Sequence, residues 1–197
     1  MDELVIILVR GIGLGAVYAL VAMSFNVVSN ASGILNFAQG NLLVLGGLCA
    51  YFLMPDEPVV ANWLVGLPLA ALALALFHAI QGWITLLPLR SSVEQHSWLI
   101  TTMAVSVMIG ASILVWQGPF ALNVRSPFPS LPLIGTRTPA SYLLAIGLAI
   151  FWCVALAWFH RRTRVGLAMS ALAQDFDAAR AAGLRVRQLQ VLSFGIS

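Results

Sequence analysis

RRTRVGLAMSALAQDFDAARAAGLRVRQLQVL, residues 161–192, is the one long polar stretch in a chain that is otherwise almost continuously apolar. Six of the ten basic residues fall in it, at Arg161, Arg162, Arg164, Arg180, Arg185 and Arg187, and the chain has no lysine. Cationic loops are held on the cytoplasmic side of a bilayer, so this stretch predicts a cytoplasmic loop between two membrane spans. Inside it, residues 170–182 set good helix formers around apolar Leu172, Phe176 and Ala179, the spacing of a short amphipathic helix. Gly183 is placed to end that helix in the left-handed conformation. The loop with its helix is assigned to residues 161–190 of a single membrane domain covering residues 1–197.

Composition fixes the class of the remainder. The 197 residues are 60% hydrophobic and 9% charged, with a mean hydropathy of +0.95. These values predict an all-α polytopic membrane bundle rather than a soluble core. The net charge of +3 is concentrated in the loop, so it reports topology and contact with anionic lipid headgroups, not nucleic acid. Cys49 and Cys153 sit inside apolar runs and read as small hydrophobes. The N-terminus opens with acids, unlike a secretory signal, so the first apolar segment is expected to stay in the protein.

Outward from the loop, five complete spans are expected, with the start of a sixth. Residues 4–9 form an interfacial lead-in closed by Arg10, and residues 11–28 form span 1, long enough for roughly 30 Å of hydrocarbon. Small residues at Gly11, Gly15 and Ala19 mark its packing face, and Gly46 and Gly47 do the same for span 2. The turn at residues 30–33 (NASG) precedes span 2 at residues 34–53. Span 3 is residues 63–87, with Pro68 a kink or near its start; span 4 is residues 98–117. Outer loops are expected around Asp56 and Glu57, and at residues 118–138, where four prolines imply an ordered but irregular course. An inner loop carries Arg90, Glu94 and His96. Thr138 as cap and Pro139 in the first turn open span 5, which runs through His160. Seven arginines then lie inside against Arg10, Arg125 and Arg137 outside, and five of the six tryptophans fall at span ends. Residues 191–197 begin a sixth apolar run too short to cross, so a C-terminal truncation is expected.

Span 2 carries the polar surprise: Asn36, Gln39 and Asn41 within six residues of a membrane segment, where unpaired amides are costly. They must face protein or water. The stretch GILNFAQGNLLVLGG (residues 33–47) resembles the GxxNFAHG region of permease subunits of bacterial branched-chain amino acid ABC importers. GLGAVYALVAMSFNVV (residues 13–28) and LITTMAVSVMI (residues 99–109) resemble the first and fourth span regions of the same family. Asp177, Ala178, Ala179 and Gly183 in DAARAAG resemble the EAA-and-glycine motif through which ABC importer permeases contact their ATPases, with aspartate where the wider motif has glutamate. The chain has glutamine at position 39 where the family usually has histidine, which keeps hydrogen bonding but removes titration near neutral pH.

The resemblance implies a non-catalytic subunit in the bacterial inner membrane. It further implies a second homologous permease, two ATP-binding cassette subunits and a periplasmic substrate-binding protein as partners. Asp175, Phe176, Asp177, Ala178, Ala179 and Gly183 are expected at the ATPase contact, and Asn36, Phe37, Gln39, Asn41, Thr101, Thr102 and Ser106 along the substrate path or as packing groups. His78, His96 and His160 lie apart without carboxylate or cysteine at ligand spacing, so neither a metal site nor a nucleophilic triad is expected. No cofactor is expected. No GxxxxGK[ST] loop occurs, so the chain does not bind ATP in that manner. All seven acids fall outside the spans, which weighs against an ion-coupled transporter, kept as an alternative beside a permease for urea or short amides.

Overall fold

The computed structural model describes residues 2–53, 60–86, 97–123, 130–133 and 136–197. The loops expected around Asp56 and Glu57 and around Arg90, Glu94 and His96, together with Arg125, Pro127 and Pro129, lie outside these residues.

Eight helices are described: α1 (Asp2–Ser32), α2 (Gln39–Leu53), α3 (Val60–Leu86), α4 (Ser97–Gln117), α5 (Ala140–Arg162), α6 (Arg164–Gln174), α7 (Phe176–Ala181) and α8 (Val186–Ile196). Four of them, over Leu4–Ser32, Trp63–Leu86, Trp98–Gln117 and Ala140–Arg162, are long and apolar enough to cross a membrane. The chain is therefore an all-α multi-pass membrane protein, although of the five complete spans expected, α2 has only 15 helical residues.

Several boundaries move. The expected lead-in and span 1 are one 31-residue helix, about 46 Å long at 1.5 Å per residue. A single arginine is a good helix former, and Arg10 lies exposed on the helix surface, so it does not interrupt the hydrogen-bond ladder. The turn expected at residues 30–33 is helical through Ser32; only Gly33, at φ 68°, leaves the helix, its N–H donating to the Ser29 carbonyl at 2.8 Å. Helix α3 runs through Pro68 without ending. The irregular outer loop contains a hairpin in which β1 (Ser130–Leu133) pairs antiparallel with β2 (Thr136–Pro139). Pro132 and Pro139 hid it, because proline inside a run argues against a strand. Pro139 is consequently the residue before α5 rather than its first turn, and it provides no side-chain cap.

The bundle is assembled around α1, which packs on α5, α6 and α8, while α3 packs on α2, α4 and α8. The packing face of α1 falls on other residues than the expected Gly11, Gly15 and Ala19. A Cβ on Gly13 would stand 2.8 Å from Cβ of Tyr142 on α5, and Ala16 beside it is buried, whereas Gly11 and Gly15 have nothing within 4 Å and Ala19 is exposed. The two buried small residues are three positions apart, not four. On α2, Gly46 faces Leu74 of α3 at 3.7 Å and Gly47 faces open space. A buried apolar cluster joins Val28, Ile34, Leu86 and Phe194, flanked by Trp98 and Val191. Phe194 is fully buried, and a Cβ on Gly82 would fall 2.7 Å from its Cβ, so glycine is what lets α8 lie against α3.

Candidate functional site

Residues 34–38 between α1 and α2 are not helical, and a membrane bundle tolerates such backbone only where protein satisfies it. Here the partners are explicit. The Ile34 N–H donates to Ser32 Oγ at 3.2 Å, Thr102 Oγ1 of α4 donates to the Leu35 carbonyl at 3.4 Å, and Gln39 N–H donates to the Asn36 carbonyl at 3.2 Å. Asn36 is fully buried, and its Oδ1 accepts from the Ala38 N–H at 3.1 Å, an Asx turn that starts α2.

The remaining valences of Asn36 go to α3. Its Nδ2 donates to His78 Nε2 at 2.9 Å and to Gln81 Oε1 at 3.2 Å, and Gln81 Nε2 returns a bond to Asn36 Oδ1 at 3.4 Å and another to Thr85 Oγ1 at 3.0 Å. Because Asn36 Nδ2 only donates, His78 Nε2 accepts, and Nδ1 carries the proton toward Ser197 Oγ at 3.1 Å on α8. Asn36, His78, Gln81 and Thr85 form a satisfied buried network, in which any member left unpaired would cost about 1–3 kcal/mol.

Each of the other expected path residues has a definite place. Asn41 Nδ2 donates to the Ser106 carbonyl at 2.6 Å and to Ser106 Oγ at 2.9 Å, tying α2 to α4. Phe37 is half exposed and stacks on Trp98 with ring centroids 6.5 Å apart. Thr102 is fully buried, and Thr101 beside it is half-buried. Gln39 is 8% exposed and borders a cavity of about 490 Å³; its Nε2 donates to Ser24 Oγ of α1, while its Oε1 is buried with no partner among the described residues. The seven residues thus gather at the start of α2 and the facing turns of α4. Sequence reading missed His78, Gln81 and Thr85 as members. Their spacing of three and four residues along one face of an apolar helix was the available signal.

The polar stretch after α5, expected to hold one helix, folds as two before α8. Helix α6 begins at Arg164, where Thr163 Oγ1 accepts from the Gly166 N–H at 3.0 Å, and the break falls at Asp175. Asp175 Oδ1 accepts from the Ala178 N–H at 2.9 Å, capping α7, and Asp177 and Arg180 occupy the first and last turns. An aspartate in the middle of a helical pattern prefers this capping role to helix interior. Gly183 has φ 82°; its N–H donates to the Arg180 carbonyl at 3.1 Å and the Leu184 N–H to the Ala179 carbonyl at 3.2 Å, the paired bonds of a Schellman end. Ala179 is buried, so of the residues expected at an ATPase contact it turns inward, while Asp175, Phe176, Asp177, Ala178 and Gly183 are exposed.

A family model described as "Branched-chain amino acid transport system / permease component" matches residues 7–197. The chain is 24% identical over 200 residues to the high-affinity branched-chain amino acid transport system permease protein LivH of Salmonella typhimurium strain LT2, covering 95% of this chain and 64% of the relative. Identity and coverage are the same for LivH of Escherichia coli strain K12. BraD of Pseudomonas aeruginosa is 22% identical over 201 residues, covering 96% and 65% respectively. The chain thus spans somewhat less than two thirds of the length of the curated relatives it matches. No solved structure matches it. With the family pattern running over nearly every described element, from α1 to α8, the chain belongs to the permease component family of branched-chain amino acid transport systems.

Proposed function

We propose that this chain is the membrane-spanning subunit of an ATP-driven ABC importer for branched-chain or related amino acids, in the bacterial inner membrane. The observation that carries the proposal is the family match across residues 7–197. In this reading residues 161–190 form the cytoplasmic coupling loop of a single permease domain. The exposed face of α7 at Phe176 and Asp177 docks on one of two ATP-binding subunits, and buried Ala179 keeps α7 seated on the body of the chain. A second homologous permease completes the path and a periplasmic binding protein delivers the substrate. Asn36, Phe37, Gln39, Asn41, Thr101, Thr102 and Ser106 hold the discontinuous start of α2, the element most suited to move. The chain itself performs no catalysis; free energy comes from ATP hydrolysed by the partners.

The test is leucine uptake by proteoliposomes carrying the complete assembly. Uptake is expected to need internal ATP and a binding protein, and to survive ionophores that collapse proton and sodium gradients. Uptake that ignores ATP and stops with an ionophore would replace this reading with ion coupling. Phe176→Asp is expected to cut uptake at least ten-fold while leaving the fold intact.

A further inference from the structure

Helix α5 packs on α1 and α6, with Tyr142 against Gly13 and Ala149 buried, and its opposite face is uncovered among the described residues. Phe151, Val154 and Trp158 follow one another along that face at helical spacing and are 62%, 63% and 64% exposed. Arg161 and Arg162, one turn further on, continue it and are exposed too. From Phe151 to Arg161 the helix rises about 15 Å at 1.5 Å per residue, half of a hydrocarbon core of roughly 30 Å. The stripe is therefore as long as one leaflet: apolar along the acyl region, amphipathic at Trp158 and doubly cationic where headgroups lie. Thr163 ends the helix in an extended conformation, and exposed Arg164 follows at the bend. There a Cβ on Gly166 would fall 2.2 Å from the Phe159 carbonyl oxygen, so glycine lets α6 turn tightly off the end of α5 and keeps three positive charges together. No acid pairs with Arg161, Arg162 or Arg164 among the described residues.

We propose that this end of α5 binds one anionic phospholipid of the adjoining leaflet: an acyl chain lies along Phe151, Val154 and Trp158, and Arg161 and Arg162 hold the phosphate, with Arg164 adding a third charge. Guanidinium suits the role, because its planar fork takes phosphate oxygens two at a time. A net negative headgroup is favoured over a zwitterionic one because three unpaired cations repel a choline or ammonium while they attract the phosphate. Free phosphate would engage the arginines and leave the apolar stripe unused. The inference rests on the chain's crossing a membrane and is independent of the importer reading.

The test is tryptophan quenching in the purified chain, held in phosphatidylcholine nanodiscs doped with acyl-brominated phosphatidylglycerol or acyl-brominated phosphatidylcholine at the same low fraction. The signal of Trp158 is the difference between the parent and Trp158→Phe. Trp116, 69% exposed on α4, a helix without arginine, supplies the comparison through Trp116→Phe. Brominated phosphatidylglycerol is expected to quench Trp158 at least two-fold more strongly than brominated phosphatidylcholine, and Trp116 equally. Arg161→Gln combined with Arg162→Gln is expected to remove the preference, with helical circular dichroism verifying that these exposed changes leave the fold intact. Millimolar inorganic phosphate at constant ionic strength is expected to leave the preference in place. Equal quenching of Trp158 by the two lipids, as when another protein segment covers this face, would overturn the proposal. So would a preference shared by Trp116, which means general enrichment of anionic lipid around the chain. A preference that survives in the double variant, or one abolished by phosphate and so marking a site for a free anion, would overturn it as well.

Discussion

The chain breaks its helices at two kinds of place, and the two are solved in opposite ways. Between α1 and α2 the break at residues 34–38 adds remote groups to its local bonds: Thr102 on α4, and on α3 His78 and Gln81, which bond Asn36, with Thr85 accepting from Gln81. Between α6, α7 and α8 the breaks are held by neighbours in sequence, Asp175 bonding three residues ahead and Gly183 closing a Schellman end. Water explains the difference. At an exposed break, solvent satisfies what a cap leaves over, so local chemistry suffices. Inside a bundle nothing does, and the partners must be carried in on other helices.

This contrast is broken most severely by Asn36→Leu, which strands His78 Nε2, the amide of Gln81 and the Ala38 N–H together. A loss of about 3 kcal/mol or more is expected, read from an SDS unfolding titration. A shift below 1 kcal/mol would mean that the break is not held from afar. Next is Gly82→Ala, where the new Cβ meets Phe194 and costs about 1–3 kcal/mol by the same titration. The double variant with Phe194→Gly should be less than additive, since it removes the Cβ that the new methyl meets. Gly183→Ala places a side chain at positive φ, costing about 1–2 kcal/mol, and Gly183→Asn should recover part of it. The smallest effect belongs to Asp175→Ala, about 1 kcal/mol, and it should stay local. Hydrogen exchange should rise at α7 amides with α1 to α5 unchanged, and faster exchange at α2 would show that the two breaks are not independent.

The same contrast governs what could be read in advance. Gly183 was legible as a helix end because the signal lies within a few residues of its effect. The spans were legible because hydropathy is a local sum. The amides of residues 36–41 were legible as needing partners, yet the partners were not: Asn36 and His78 are 42 positions apart, and only tertiary packing brings them together. Asp175 was assigned to the interior of one helix and became the boundary of two, since a helix-compatible pattern does not reveal which acid folds back on its own backbone. The register of α1 failed for a related reason. Gly11, Gly13 and Gly15 are equivalent by composition, and Tyr142, 129 positions on, decides among them.

Helix α2 also has a bearing on the lipid around it. Fifteen residues rise only about 22 Å, whereas α1 beside it rises about twice that, so the two place unequal hydrophobic lengths in one bilayer. Mismatch of this kind is met by tilting the long helix and thinning the lipid at the short one, at fractions of a kcal/mol for each ångström. The α2 side should accordingly gather shorter or more disordered acyl chains, making acyl-chain length a variable to which the start of α2 is mechanically sensitive.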